Sequence, residues 1–124
     1  MIKHPADVLA AFKGMDILVI GDVMVDRYLF GQVHRISPEA PVPIVDLEYT
    51  EDRLGGAANV ALNLASLEAN PIVLSVIGAD DGARICRTLF QQATISDHFL
   101  VDSIHRPTSI KNRVWSRNQQ LLRF

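Results

Sequence analysis

The chain has 124 residues, enough for one small domain with a core of its own. Apolar residues make up 48% and charged residues 21%, a mix that excludes a disordered chain. A net charge of −2 gives no electrostatic case for nucleic acid or an acidic membrane surface, and no apolar run approaches the ~20 residues of a membrane-spanning helix.

Met1 to Lys13 lacks the apolar run of a signal peptide, so a cytoplasmic location is expected. Pro5 to Phe12 reads as a short helix: Pro5 suits a first turn, and Gly14 suits a left-handed stop. Asp16 to Asp22 contains four consecutive aliphatics and reads as a strand buried on both faces. Met24 to Ile36 is mixed and aromatic, with Gly31 inside it. Ser37 to Val42 and Pro43 hold three prolines, which mark a connection or a sheet edge. Ile44 to Leu47 reads as a short strand returning beside the earlier one.

Gly55-Gly56 opens a helix over Ala57 to Leu67 that is apolar nearly all round and is therefore expected to be buried. Ile72 to Gly78 reads as a second buried strand. Asp80-Asp81 supply a cap and negative charge for a helix in which Ala83, Cys86, Leu89, Phe90 and Ala93 recur at helical spacing. Cys86 is the one cysteine and reads as a small buried hydrophobe. Phe99 to Val101 is a candidate third strand. Thr108 to Trp115 and Gln119 to Phe124 read as two strands joined by Ser116-Arg117-Asn118. Alternating strands and helices predict an α/β layer with parallel strands. The strand-rich excursions, about 24–47 and 108–124, predict a small second sheet projecting from it.

The segment Gly55-Gly56-Ala57-Ala58-Asn59-Val60-Ala61 is the most informative. Paired glycines before a small-residue helix permit close backbone approach by a ligand, and Asn59 both donates and accepts, which suits sugar hydroxyls. A tight turn with the helix packed close to a sheet explains the same residues. No Gly-Lys-Ser/Thr follows, so this is no Walker A loop. The first strand leads to Gly21-Asp22-Val23 and not to a dinucleotide fingerprint. His4, His34, His98 and His105 have no metal-ligand spacing, and no metal site is expected.

With Gly55, Gly56, Ala57, Asn59, Ala61 and Gly78 in place, the chain resembles the ribokinase-type (PfkB) carbohydrate kinases. Glu68 stands where that family has Gly or Ser, at a helix end that glycine would cap in the left-handed conformation. Gly21, Asp22 and Asp26 match the family's first strand end. Within the family, Gly21 to Tyr28, Arg35 to Pro43 and Ser116 to Arg123 are most similar to the kinases of heptose 7-phosphate. The resemblance implies a partial ribokinase-like (Rossmann-like) parallel sheet with flanking helices plus a small projecting β lid, the whole chain being the N-terminal part of such a domain.

It also implies transfer of the ATP γ-phosphate to the C1 hydroxyl of heptose 7-phosphate, on the path to ADP-heptose and lipopolysaccharide core, with ATP and Mg²⁺ as cofactors. A sugar phosphate is the implied partner, and a homodimer through the lid sheet is implied for the complete enzyme. Asp26 would accept from sugar hydroxyls, and Gly55, Gly56 and Asn59 would line the same site. The family's second signature, Asp-Thr-x-Gly-Ala-Gly-Asp, carries the general base, and nothing here matches it. No catalytic residue is therefore expected in these 124 residues, and the chain alone is expected to be inactive. Another sugar of the same superfamily, or a non-catalytic remnant of such a kinase, is the alternative.

Asp26 read by itself is more commonly a solvated loop carboxylate, an order the resemblance reverses, and Asp22 reads as a structural cap on the strand end. Lys111 and Arg113 share one strand face, and a three-residue loop would set Arg113 opposite Leu121 and Lys111 opposite Arg123. Three cations with no acid among them predict an anion over them, the substrate's 7-phosphate; a solvated basic edge is the alternative.

Overall fold

The computed structural model describes residues 4–124. In chain order the elements are α1 (Pro5–Ala11), β1 (Asp16–Ile20), β2 (Val23–Ile36), β3 (Pro43–Gly56), α2 (Ala57–Ser66), β4 (Asn70–Gly78), α3 (Asp81–Gln92), β5 (Leu100–Ser103), β6 (Ile110–Ser116) and β7 (Gln119–Arg123). They form two compact units. One comprises residues up to Val25 together with Leu54–Ser109; the other comprises Asp26–Arg53 and Ile110–Phe124.

The first unit is an α/β layer. Its sheet has the order β1-β4-β5, parallel throughout, with Leu18 beside Ile72, Ile20 beside Leu74 and Val76 beside Val101. Alternation along β4 sends Val73, Ser75 and Ile77 to the buried face, where α2 contributes Ala58 and Ala61 and α3 contributes Cys86 and Phe90. Each large side chain so buried contributes about 1.5–3 kcal/mol.

Both helices end alike. At α2 the N–H of Glu68 bonds to Ala65 O and that of Ala69 to Leu64 O; at α3, Thr94 bonds to Gln91 O and Ile95 to Phe90 O. These are Schellman motifs, and Glu68 (φ 62°) and Thr94 (φ 57°) occupy their left-handed position. The α3 start is held by Asp80, whose carboxylate accepts from Ala83 N at 2.9 Å and from Thr108 N and Oγ1 at 2.8 and 2.7 Å.

The expectation that the strands and α2 are buried all round is corrected. Leu18, Ile20, Leu74, Val76 and Val101 on the sheet are exposed, as is Val60 on α2. Successive crossovers that advance in one direction along a sheet place their helices on one face when both are right-handed. The chain therefore covers the Val73 face and leaves the opposite apolar face bare.

The second unit is a four-stranded sheet with the order β3-β2-β6-β7. The segment read as mixed is β2, a strand of 14 residues, and the short strand read at Ile44 to Leu47 is part of β3, also 14 residues long. Gly31 lets them meet: a Cβ there would lie 2.4 Å from Asp46 O. Arg27 clamps the same pair with a two-pronged bond to Asp52, at 2.7 and 2.8 Å. The aromatic rings of Tyr28, Phe30 and Tyr49 stack in sequence, with centroids 6.1 and 4.6 Å apart.

The β6–β7 hairpin corrects the expected register. Ser116 pairs with Gln119, leaving a two-residue loop at Arg117 (φ 55°) and Asn118, and an irregularity follows at Val114/Trp115. Together they set Arg113 opposite Arg123, not Leu121, while Asn112 pairs with Phe124.

Candidate substrate site

In the first unit, the chain leaving β1 runs against the start of α2. The Asp22 carbonyl accepts from the Ala57 N–H at 2.9 Å, satisfying one of the donors a helix start leaves open. Gly56 sits at φ 60°, and a Cβ there would meet Asp22 O at 2.3 Å. Glycine is needed at 56 for this protein's own backbone, as the tight-turn reading of the pair anticipates. Gly55 is buried at the same turn, and Asn59 lies exposed in the first turn of α2. The Asp22 side chain, expected to cap the strand end, is exposed and stands 3.5 Å from Arg106 Nη1, while its carbonyl serves the start of α2.

The second unit gathers the other candidates. Period-two alternation puts Asp26, Tyr28 and Phe30 on one face of β2. Arg113 Nη1 on β6 donates to Asp26 Oδ1 at 2.8 Å, and Lys111 Nζ is 3.9 Å from the same oxygen. The Asp26 and Arg113 side chains are 18% and 17% exposed, so this pair is screened less than a surface ion pair. The Arg113 guanidinium also lies 5.1 Å from the centre of the Tyr28 ring, and Arg53 lies 4.6 Å from it.

Asp26, Lys111 and Arg113 are thus brought together, and the expected group of three cations with no acid is corrected: Arg123 pairs with Arg113 and not Lys111, and an acid stands beside Arg113 and Lys111. The acid comes from the neighbouring strand β2, which a hairpin reading of β6 and β7 leaves out. Gly55, Gly56 and Asn59 form a separate group in the first unit. Sequence reasoning missed Tyr28, although its parity with Asp26 along an unbroken strand carries the signal.

The cluster has a definite chemistry. Both cation contacts fall on Asp26 Oδ1, so its second oxygen is not consumed by them and suits hydroxyl donors. Arg113 gives one of its five N–H donors to Asp26, and a guanidinium's remaining donors are of the kind that grip an anion. Among the described residues no group of three His, Cys, Asp or Glu side chains is placed to hold a metal ion. Also among the described residues, no helix is long and apolar enough to cross a membrane.

Comparison with known proteins bears on these observations. The family profile described as "pfkB family carbohydrate kinase" matches residues 15–124. The chain is 51% identical over 124 residues to a D-beta-D-heptose 7-phosphate kinase of Bordetella bronchiseptica, covering 99% of this chain and 38% of that protein. It is 49% identical over 116 residues to the bifunctional protein HldE of Salmonella paratyphi B, covering 94% of this chain and 24% of that one. The chain therefore spans well under half the length of these relatives. Among solved structures, a carbohydrate kinase from Agrobacterium tumefaciens aligns with a TM-score of 0.71 at 20% identity, over 89% of this chain and 34% of that one. A Methanocaldococcus jannaschii nucleoside kinase, titled an archaeal member of the ribokinase family, aligns with a TM-score of 0.65 at 21% identity, over 90% and 36%.

Proposed function

The chain belongs to the pfkB family of carbohydrate kinases, and from that premise we propose that it forms the sugar side of a heptose 7-phosphate kinase. The observation that carries the reading is the Asp26–Arg113–Lys111 cluster: a carboxylate suited to hydroxyls beside cations suited to a phosphate. A sugar phosphate carries both groups, and the Bordetella relative is named for one. The roles follow from the atoms. Asp26 accepts from sugar hydroxyls through Oδ2 and holds Arg113 in place through Oδ1. Arg113 and Lys111 neutralise the phosphate remote from the reacting hydroxyl. Within the first unit, Gly55, Gly56 and Asn59 at the start of α2 are assigned to sugar binding in this reading, with the Asn59 side chain as the hydrogen-bonding group.

ATP, with Mg²⁺, is the phosphoryl donor in this reading, and the strand-rich segments about 24–47 and 108–124 serve as a lid that excludes water. The lid sheet also joins two copies: its edge strand β3 exposes Leu47 and Tyr49. The setting is the cytoplasm, where ATP is available.

Arg113→Ala tests the reading. It is made in a full-length kinase carrying these residues and assayed with heptose 7-phosphate and with unphosphorylated heptose. Selective loss of the phosphorylated substrate supports the assignment, and equal loss of both, or of neither, refutes it.

A further inference from the structure

The β6–β7 hairpin contains a pairing that its own residues do not compensate. Asn112 and Phe124 exchange both backbone bonds, at 2.8 and 3.0 Å, which makes theirs the hydrogen-bonded pair. The next pair, Arg113 and Arg123, is therefore the closer, non-hydrogen-bonded type, with Cα atoms about 4.5 Å apart. Like charges directly opposite one another destabilise a strand pair. Neither β6 nor β7 contains an acidic residue. Asp26 lies on the far side of Arg113, across β2, so along this face the order is Asp26, Arg113, Arg123. One acid holds the first arginine, and the second faces it with no counter-charge from either strand.

We propose that Arg123 is a specificity-determining residue: the substrate phosphate sits between the Arg113 and Arg123 guanidiniums, on the side of Arg113 away from Asp26. This rests on the sugar-phosphate reading above and extends it to a residue that reading does not use. Three observations favour an anion there. Arg113 is fixed on its other side by Asp26 Oδ1 and the Tyr28 ring, so its free N–H edge is pre-aimed. Two facing guanidiniums match a dianionic phosphate, each able to give two parallel bonds. Strands lie about 4.8 Å apart, so a phosphate midway between β6 and β7 is roughly 7 Å from β2. That separation lets one sugar phosphate reach Asp26 with its hydroxyls.

The test uses the 124-residue chain, ¹⁵N-labelled, with the arginine Nε–Hε resonances followed during titration with heptose 7-phosphate, with heptose and with inorganic phosphate. Heptose 7-phosphate and inorganic phosphate should shift both Arg113 and Arg123, and heptose should leave Arg123 unshifted. Arg123→Ala should weaken heptose 7-phosphate roughly ten- to a hundredfold and leave heptose unchanged. Arg123→Lys should recover only part, because an ammonium lacks the planar fork. A second readout needs no sugar: at matched ionic strength, phosphate should raise the urea midpoint of the chain above its value in chloride, and Arg123→Ala should abolish that difference. If Arg113→Ala is selective for the phosphorylated sugar while Arg123→Ala behaves as the parent, this inference fails and the sugar-phosphate reading stands. If neither variant changes the preference for phosphorylated sugar, or the parent chain shows no phosphate response, both fail. A loss at Arg123→Ala that is equal for both sugars makes the residue merely structural and overturns the inference.

Discussion

Replacing Glu68 with glycine should stabilise this protein. Glu68 holds the left-handed position of the α2 Schellman motif at φ 62°, and its N–H and that of Ala69 close the motif on Ala65 and Leu64. A side chain in that conformation costs about 1–2 kcal/mol through contact of Cβ with the carbonyl. Glycine removes that cost and adds about 0.5–1 kcal/mol of chain entropy to the unfolded state. The substitution also removes the Lys13–Glu68 ion pair, but with side chains 76% and 65% exposed that pair contributes little. The net gain is about 0.5–1 kcal/mol, or roughly 2–5 °C in Tm for a chain of this size. Thermal and urea denaturation should be run on Glu68→Gly beside Glu68→Ala. Alanine removes the same ion pair and keeps the strain, so it should gain nothing. A glycine variant no more stable than the alanine variant would refute the reasoning. Thr94→Gly at the end of α3, φ 57°, should behave in the same sense.

Asp26→Asn in a full-length kinase carrying these residues should lower kcat/KM for the sugar roughly ten- to a hundredfold, since charge-assisted bonds contribute ~1.5–3 kcal/mol each, with KM for ATP unchanged; unchanged sugar kinetics remove Asp26 from the site. Asp80 is held below the usual carboxylate range, chiefly by the Thr108 hydroxyl, then by the Thr108 and Ala83 N–H groups. Its stabilising contribution is therefore complete above the unfolded value near pH ~4 and lost as pH falls through the lower folded value. In Asp80→Asn, urea midpoints should lose part of that dependence below pH ~4, and an unaltered acid limb counts against the assignment. Burial pushes the Cys86 thiol up to about 11, so a thiol reagent at pH ~8 should leave the native chain unmodified and react once it is unfolded; rapid native labelling contradicts the packing.

Local patterns carried the layer order and the caps. Four aliphatics in Ile17 to Ile20 mark β1, and Asp80 before a 3.6-period run marks α3, because these depend on neighbours along the chain. The length of β2 was hidden by Gly31, which reads as a break but serves a close strand crossing with Asp46. The bare sheet face was hidden because an aliphatic run states that burial is favourable and does not say which element supplies it. Of the candidate site, Asp26, Lys111 and Arg113 were legible as residues. Their ion pairing was not, since it joins positions 87 residues apart and depends on β2 lying beside β6. The true facing of Arg113 turned on two local features: the loop shortens to two residues with Ser116 paired to Gln119, and the irregularity at Val114/Trp115 moves the register one residue further.

Departures from local rules fall into two kinds here, and the difference locates function. Glu68, Thr94 and Arg117 all adopt positive φ without being glycine. The first two close Schellman motifs and the third turns a tight hairpin, so backbone hydrogen bonds offset the strain at each. Arg113 facing Arg123 is a departure of the other kind. The backbone would pair equally well with a neutral residue at either position, so the hairpin gains nothing from two like charges. Asp26 offsets one charge and sits on the wrong side to offset the second. A local conflict that the chain leaves uncompensated is expected where a ligand completes the balance. Arg123→Gln should therefore leave the hairpin at least as stable as before, measured by urea denaturation in low-salt chloride. A clear loss of stability would mean that Arg123 is held by the fold itself and that its charge carries no message about a ligand.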